Sequence, residues 1–445
     1  MLSFGSSAPL RELVASQKGG RPVGICSVCS AHQFVLEAAM QHASRRGAPL
    51  LIEATCNQVN QFGGYTGMVP STFAAYVAGL AATMEFPLSR VILGGDHLGP
   101  NPWKDEPAAR AMEKARELVC AYVAAGFAKI HLDASMHCAD DNRTAPLPPH
   151  IVAERAAVLC QAAEAACTSQ DEASRPVYVI GTEVPVPGGA QADDAGLQVT
   201  TPDDALATIE LFRSAFLARG LDGAWSRVIA LVVQPGVEFG DAEIHEYDRT
   251  RAAALSSAIE SVPGMVYEAH STDYQQPGAL RQLVEDHFAI LKVGPGLTFA
   301  FREATFALAA MEAAALGGRR EVTLSHLPEI LEQAMVEDPR DWARYYHGDA
   351  VAQAFARRYS LSDRIRYYWP RPAVQAALAQ LLHNLTQNPP PLPLLSQYMP
   401  LQYREVRAGR LPNTPKALIY AHIDQVLQDY AQACGDDGMR VASPG

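Results

Sequence analysis

The chain has 445 residues, 48% hydrophobic and 19% charged, with a formal net charge of −12, enough for a full core and one large or two to three ordinary domains. The acidic balance, without any Lys/Arg block, argues against nucleic acid or an anionic membrane as partner. No apolar run approaches the roughly 20 residues of a membrane span, and the opening MLSFGSSAPLRELVASQKGG lacks a secretory apolar region, so a cytoplasmic protein is expected.

Short aliphatic or β-branched runs alternate with amphipathic stretches of helical length. Strands are predicted at 22–28, 49–55, 90–96 and 128–134, then at 176–183, 227–234, 264–270 and 288–294. Their continuous apolar character suits parallel strands buried on both faces. One intervening helix has Thr201 as N-cap, Pro202 in its first turn and Asp204 three residues after the cap. Its Leu206, Ile209, Phe212 and Phe216 recur at helical spacing, and Gly220 supplies the stop. Another starts near Pro107, puts Met112, Ala115, Val119 and Tyr122 on one face and ends at Gly126.

Eight strands alternating with helices predict an α/β fold, a (β/α)8 TIM barrel over residues 1–318. An open doubly wound sheet is the alternative, but no G-x-G-x-x-G follows the first strand. Beyond residue 318 the strand signal stops. Residues 319–445 read as a C-terminal helical extension, broken at Pro339 and Pro370, that packs on the barrel or on a neighbouring subunit. The eight cysteines are scattered, and Cys26-Ser-Val-Cys29 has no second pair with which to build a zinc ribbon, so reduced thiols are expected.

In a barrel the chemistry gathers at the C-terminal ends of the strands. Here those ends are polar: Asp96-His97, then His131, Asp133 and Ser135, then Thr182-Glu183. Gln234 follows, then Glu268, His270, Ser271 and Thr272, and finally Lys292. Imidazoles, carboxylates and an amide converging on one rim are what a divalent-metal site needs. Gly294 and Gly296 precede a helix N-terminus, where backbone amides favour a phosphate. No G-x-x-x-x-G-K-[ST] occurs, so a phosphate-transfer loop of that type is not supported.

Seven ordered motifs, EATCNQVNQFGGYTGM, GGDHLGPNPW, HLDASMHCADD, GTEVPVPGG, VVQPGVEFGD, EAHSTDYQ and LKVGPGLTFAFREA, resemble the GatZ/KbaZ family. That family is named for the accessory subunit of class II D-tagatose-1,6-bisphosphate aldolase, and some members have been labelled tagatose 6-phosphate kinases. The resemblance implies a barrel and a divalent metal, Zn²⁺ first, with Mn²⁺, Ni²⁺ or Mg²⁺ as alternatives. It implies His97 and His270 as metal ligands, with Glu183 or Gln234 completing the set. Gln234 stands where class II aldolases carry a third histidine.

It further implies a sugar-phosphate substrate held by Asp133, Ser135, Ser271, Thr272, Lys292, Gly294 and Gly296, and Asp96 or Glu183 as the proton carrier. Two activities follow: 4-epimerisation between D-tagatose 6-phosphate and D-fructose 6-phosphate, or a non-catalytic role stabilising a separate aldolase subunit. A homo-oligomer is expected. Because Asp96 and His97 are adjacent on a strand, their side chains would face opposite ways. Gly94-Gly95 is expected to let the backbone bend so that both reach the cleft.

Overall fold

The computed structural model describes residues 3–169, 174–182 and 197–435. Eight parallel strands close into a barrel: β1 (Ile25–Val28), β2 (Leu50–Thr55), β3 (Val91–Leu98), β4 (Lys129–Leu132), β5 (Val177–Ile180), β6 (Val228–Val232), β9 (Val266–Ala269) and β10 (Phe288–Val293). A two-stranded hairpin, β7 (Glu238–Phe239) with β8 (Ile244–His245), interrupts the series after β6. Every predicted strand is present. The helix expected at Thr201 runs Pro202–Leu217, with the Thr201 hydroxyl accepting the Asp204 amide. The other runs Ala108–Ala124, with Pro107 as its cap rather than its first residue.

Side chains alternate across a strand with period two, so the barrel interior fills in layers. At the bottom, Ile25, Leu51, Ile92, Val266 and Ile290 form an apolar plug with Leu10, Leu13 and Val14 of the first helix, Ala8–Lys18. Two residues further along the same strands the interior turns polar: Ser27, Glu53, Glu268 and Lys292. One more step on β3 and β9 reaches Asp96 and His270 at the mouth.

The C-terminal helices pack on the barrel, and their apolar residues join the same buried cluster as those of the barrel helices. The last of them, Pro415–Cys434, buries Ile419, Ile423, Leu427 and Tyr430 against the helices Gln33–Arg46, Pro277–Glu285 and Pro295–Leu316. It thereby closes the outer ring beside β1, where the Gly24 amide donates to the Cys434 carbonyl at 2.9 Å. Among the described residues no helix is long and apolar enough to cross a membrane.

Candidate active site at the barrel mouth

A layer of buried ion pairs carries the site. Lys129 and Glu53 are both fully buried, with Nζ 2.8 Å from Oε1, and Lys129 also reaches Glu268 Oε2 at 2.7 Å. Lys292 Nζ lies 2.7 Å from Glu53 Oε2 and 3.0 Å from Asp96 Oδ1. Ser27 donates to Glu53 Oε1 at 2.6 Å. Burying charges is costly unless each is paired and hydrogen-bonded, and here the pairing is nearly complete. Burial opposes charge on Glu268, but Lys129 and Lys292 hold its carboxyl well below the ordinary range.

Above this layer the chain departs from ideal strand geometry. The register of β3 against β4 slips between Gly95 and Leu98, so β3 carries one extra residue, a bulge. The turn is made at His97, whose φ is +49°, a region that costs a non-glycine residue energy. This bulge, and not the two glycines, lets Asp96 and His97 line the same cleft. Gly94 serves space instead: a Cβ there would stand 2.7 Å from the side chain of Glu53.

Three imidazoles meet at the mouth. Ring centroids are 4.9 Å apart for His97 and His270, 5.2 Å for His97 and His131, and 5.3 Å for His131 and His270. Imidazoles sharing one ion tetrahedrally at about 2.0–2.1 Å would have centroids about 5 Å apart. Asp96, His131, Glu268 and His270 each offer a ligand atom, all within 4.8 Å of one another. His97 Nδ1 lies 2.8 Å from Asp133 Oδ2, and its Nε2 is 3.7 Å from Asp96 Oδ2.

Two further observations fit a divalent cation. His131 Nε2 is buried and has no hydrogen-bond partner among the described residues. Among the described residues, Lys129 and Lys292 are the ammonium groups paired with Glu53, Asp96 and Glu268, while Asp133 faces His97, so the four carboxylates leave two formal negative charges when the imidazoles are neutral. Burial pulls His270 down to about 4, so this ring is neutral, the form in which an imidazole can ligate a cation. Burial works against the charge on Asp96, yet His97, Lys292 and His131 keep it well below the ordinary carboxylate range. The buried group can therefore hold a metal.

The other expected residues fall into three sets. His97, His270, Asp96, Lys292, Ser271 and Gly294 line one cleft. Asp133 stands behind His97, with Ser135 donating its amide and hydroxyl to Asp133 Oδ1 at 3.0 and 2.6 Å. Gln234, by contrast, ties its own loop: its Oε1 accepts the amides of Gly236 and Val237. Thr272 binds the Lys292 carbonyl and the hydroxyl of Tyr430, anchoring the last helix. The amides of Gly294 and Gly296 are taken by Asp273 Oδ1 at 3.0 and 2.7 Å. Glu183 lies outside the described residues.

Residues that the sequence reading left out of the site now stand within it. His131, a histidine near a strand end, stands with Asp96, Glu268 and His270 in the buried group that could hold a metal, where Gln234 was expected. Glu53 and Lys129 are charged residues inside otherwise apolar strands, a signal available to inspection. From the C-terminal extension, Arg366 and Tyr367 reach over the mouth and line the cleft beside Tyr65.

One solved relative agrees with this architecture. A crystal structure of a probable tagatose 6-phosphate kinase from Sinorhizobium meliloti 1021 superposes with a TM-score of 0.84 at 50% identity, covering 92% of this chain and all of that one. A fructose-bisphosphate aldolase from Campylobacter jejuni matches at 12% identity and a TM-score of 0.45, over 86% of this chain and 94% of the other. The family model described as D-tagatose-1,6-bisphosphate aldolase subunit GatZ/KbaZ-like matches residues 10–435. The chain belongs to the GatZ/KbaZ-like family.

Proposed function

We propose that this chain is a metal-dependent epimerase that interconverts D-tagatose 6-phosphate and D-fructose 6-phosphate at C4. The observation that carries the reading is the convergence of Asp96 with three imidazoles above a buried layer holding surplus negative charge. In a 2-ketose the C4 hydrogen is not α to the carbonyl, so deprotonation cannot invert C4. Breaking C3–C4 can: the C4 hydroxyl loses its proton, C4 becomes an aldehyde, and the bonding pair passes into an enediolate on C1–C3. The aldehyde then presents its other face and the bond re-forms.

Asp96 suits the proton transfer. It is an ionised carboxylate lining the cleft, and Lys292 at 3.0 Å keeps it so. The imidazoles of His97, His131 and His270 would hold the ion, with Asp133 orienting His97 from behind. When bound, a divalent cation supplies Lewis-acid stabilisation of the enediolate, and imidazole ligands suit Zn²⁺ first. Glu183, which follows β5 in the sequence and lies outside the described residues, remains the alternative base.

A subunit that only stabilised a separate aldolase would have no use for so many buried charges, each expensive to desolvate. The test is turnover by the purified chain alone, given D-tagatose 6-phosphate with Zn²⁺, Mn²⁺, Ni²⁺ or Mg²⁺ and assayed for D-fructose 6-phosphate. Product formation supports the proposal; none with any of the four ions refutes it.

A further inference from the structure

The amides of Gly294 and Gly296, expected to hold a phosphate, already carry the Asp273 carboxylate. Of the cations lining the cleft, Lys292 is committed to Glu53 and Asp96. Among the described residues the remaining one is Arg366, on the short turn Arg364–Tyr367 of the C-terminal extension.

Arg366 is built to wait for an anion. One guanidinium nitrogen donates to the carbonyls of Ser362 and Asp363, and the other to the Tyr367 hydroxyl at 3.0 Å. The guanidinium carbon stacks 4.6 Å from the centroid of the Tyr367 ring. These contacts fix its direction without neutralising it: among the described residues no carboxylate oxygen lies within ion-pair distance. This half-buried guanidinium stands beside a ligand cleft with only neutral groups bonded to it, the carboxylates of Asp273 and Asp363 acting on it from beyond ion-pair distance. The same residue lines a second, adjoining cavity that shares Cys29, Gln58, Tyr65 and Gly294 with the first. There Trp369, 1% exposed, keeps an indole N–H with no partner among the described residues. The tract beyond Arg366 thus offers further donor capacity.

We infer that Arg366, contributed by the C-terminal extension, anchors the phosphate monoester of the substrate, and that the extension therefore completes the site rather than merely bracing the barrel. An anchor at this end suits the chemistry, because the fragment must stay bound while its aldehyde turns over. The inference deepens the sugar-phosphate reading above and rests on it, but its test does not need turnover.

The probe is inorganic phosphate, titrated into the whole protein and read by ³¹P line broadening, for wild type, Arg366→Ala and Arg366→Lys. Arg366→Ala is expected to weaken phosphate binding about 10- to 100-fold, the effect of losing charge-assisted hydrogen bonds. Arg366→Lys keeps the charge without the fork and falls between. Where turnover is measurable, Arg366→Ala raises KM for D-tagatose 6-phosphate by a larger factor than it raises that for unphosphorylated D-tagatose. Thermal melting checks each variant, and Arg366→Lys decides the matter if the alanine variant does not fold. Equal phosphate affinity in wild type and folded variants, or no phosphate binding by wild type, overturns the inference, whether or not the chain proves to be an epimerase.

Discussion

Asp133 on the loop after β4 holds the Nδ1 of His97 at 2.8 Å across the mouth of the barrel. Burial would raise Asp133, but the hydrogen bond and charge of His97, the charge of His131 and the Ser135 hydroxyl bring it down to about 2. An ionised carboxylate only accepts hydrogen bonds, so Nδ1 carries a proton, and in the neutral ring that metal binding requires the lone pair lies on Nε2. That nitrogen is the one nearer Asp96. Asp133 therefore sets the tautomer in which His97 can ligate a cation.

Removing this support should be felt in metal affinity first. Asp133→Ala is expected to weaken divalent-metal binding by about 10- to 100-fold, as for other carboxylates behind a ligating histidine. Competition against a chromophoric chelator measures it. Unchanged affinity would make the His97–Asp133 contact a purely structural one.

The three imidazoles should behave alike and Asp96 differently. His97→Ala, His131→Ala and His270→Ala each lose bound metal on dialysis, read by elemental analysis. Asp96→Asn keeps most of its metal but lowers turnover by at least ~10²-fold. Near-normal turnover in Asp96→Asn would move the proton transfer to Glu183.

Below the mouth, Lys129→Met leaves Glu53 and Glu268 with one ammonium group instead of two in a site closed to water. Breaking a buried pair in this way costs about 3–5 kcal/mol. Denaturant unfolding of the variant should show a loss of that size. A loss under about 1 kcal/mol would mean that the carboxylates take up protons and the layer is not an ionic one.

Asp363 supplies a pH signature. Burial raises its carboxyl from 3.8 to about 7, against the opposing effects of Arg302, Thr298 and Arg366. A raised folded value means that the native state keeps a proton which the unfolded chain has already released. The stability it contributes is whole below about pH 4 and is lost as pH rises through about 7. Asp363→Asn should flatten the fall of melting temperature over that interval. An identical pH profile in the variant would show that Asp363 is ionised in the native state throughout.

The barrel was legible because strands buried on both faces write themselves as near-continuous apolar runs, and the eight strands did so despite single charged residues such as Glu53 and Lys129. The candidate ligand set was less legible. His131 stood in plain view at a strand end, but the resemblance to class II aldolases drew attention to Gln234, whose amide oxygen is spent on its own turn. Nothing in the residue types announces a positive φ at His97, since the bulge is fixed by pairing with β4. Glu53 and Lys129 look like blemishes in apolar strands until the layers are stacked and each meets its counter-charge. Arg366 lies far along the chain from the barrel strands, and only tertiary packing brings it to the mouth.

The proposed epimerisation inverts C4 by cleavage of C3–C4 and not by loss of its hydrogen. D-tagatose 6-phosphate carrying deuterium at C4, incubated with the purified chain and Zn²⁺ in ordinary water, tests this directly. The predicted product is D-fructose 6-phosphate with its C4 deuterium intact, read by mass spectrometry and NMR. Product formed with that deuterium washed out into solvent would contradict it.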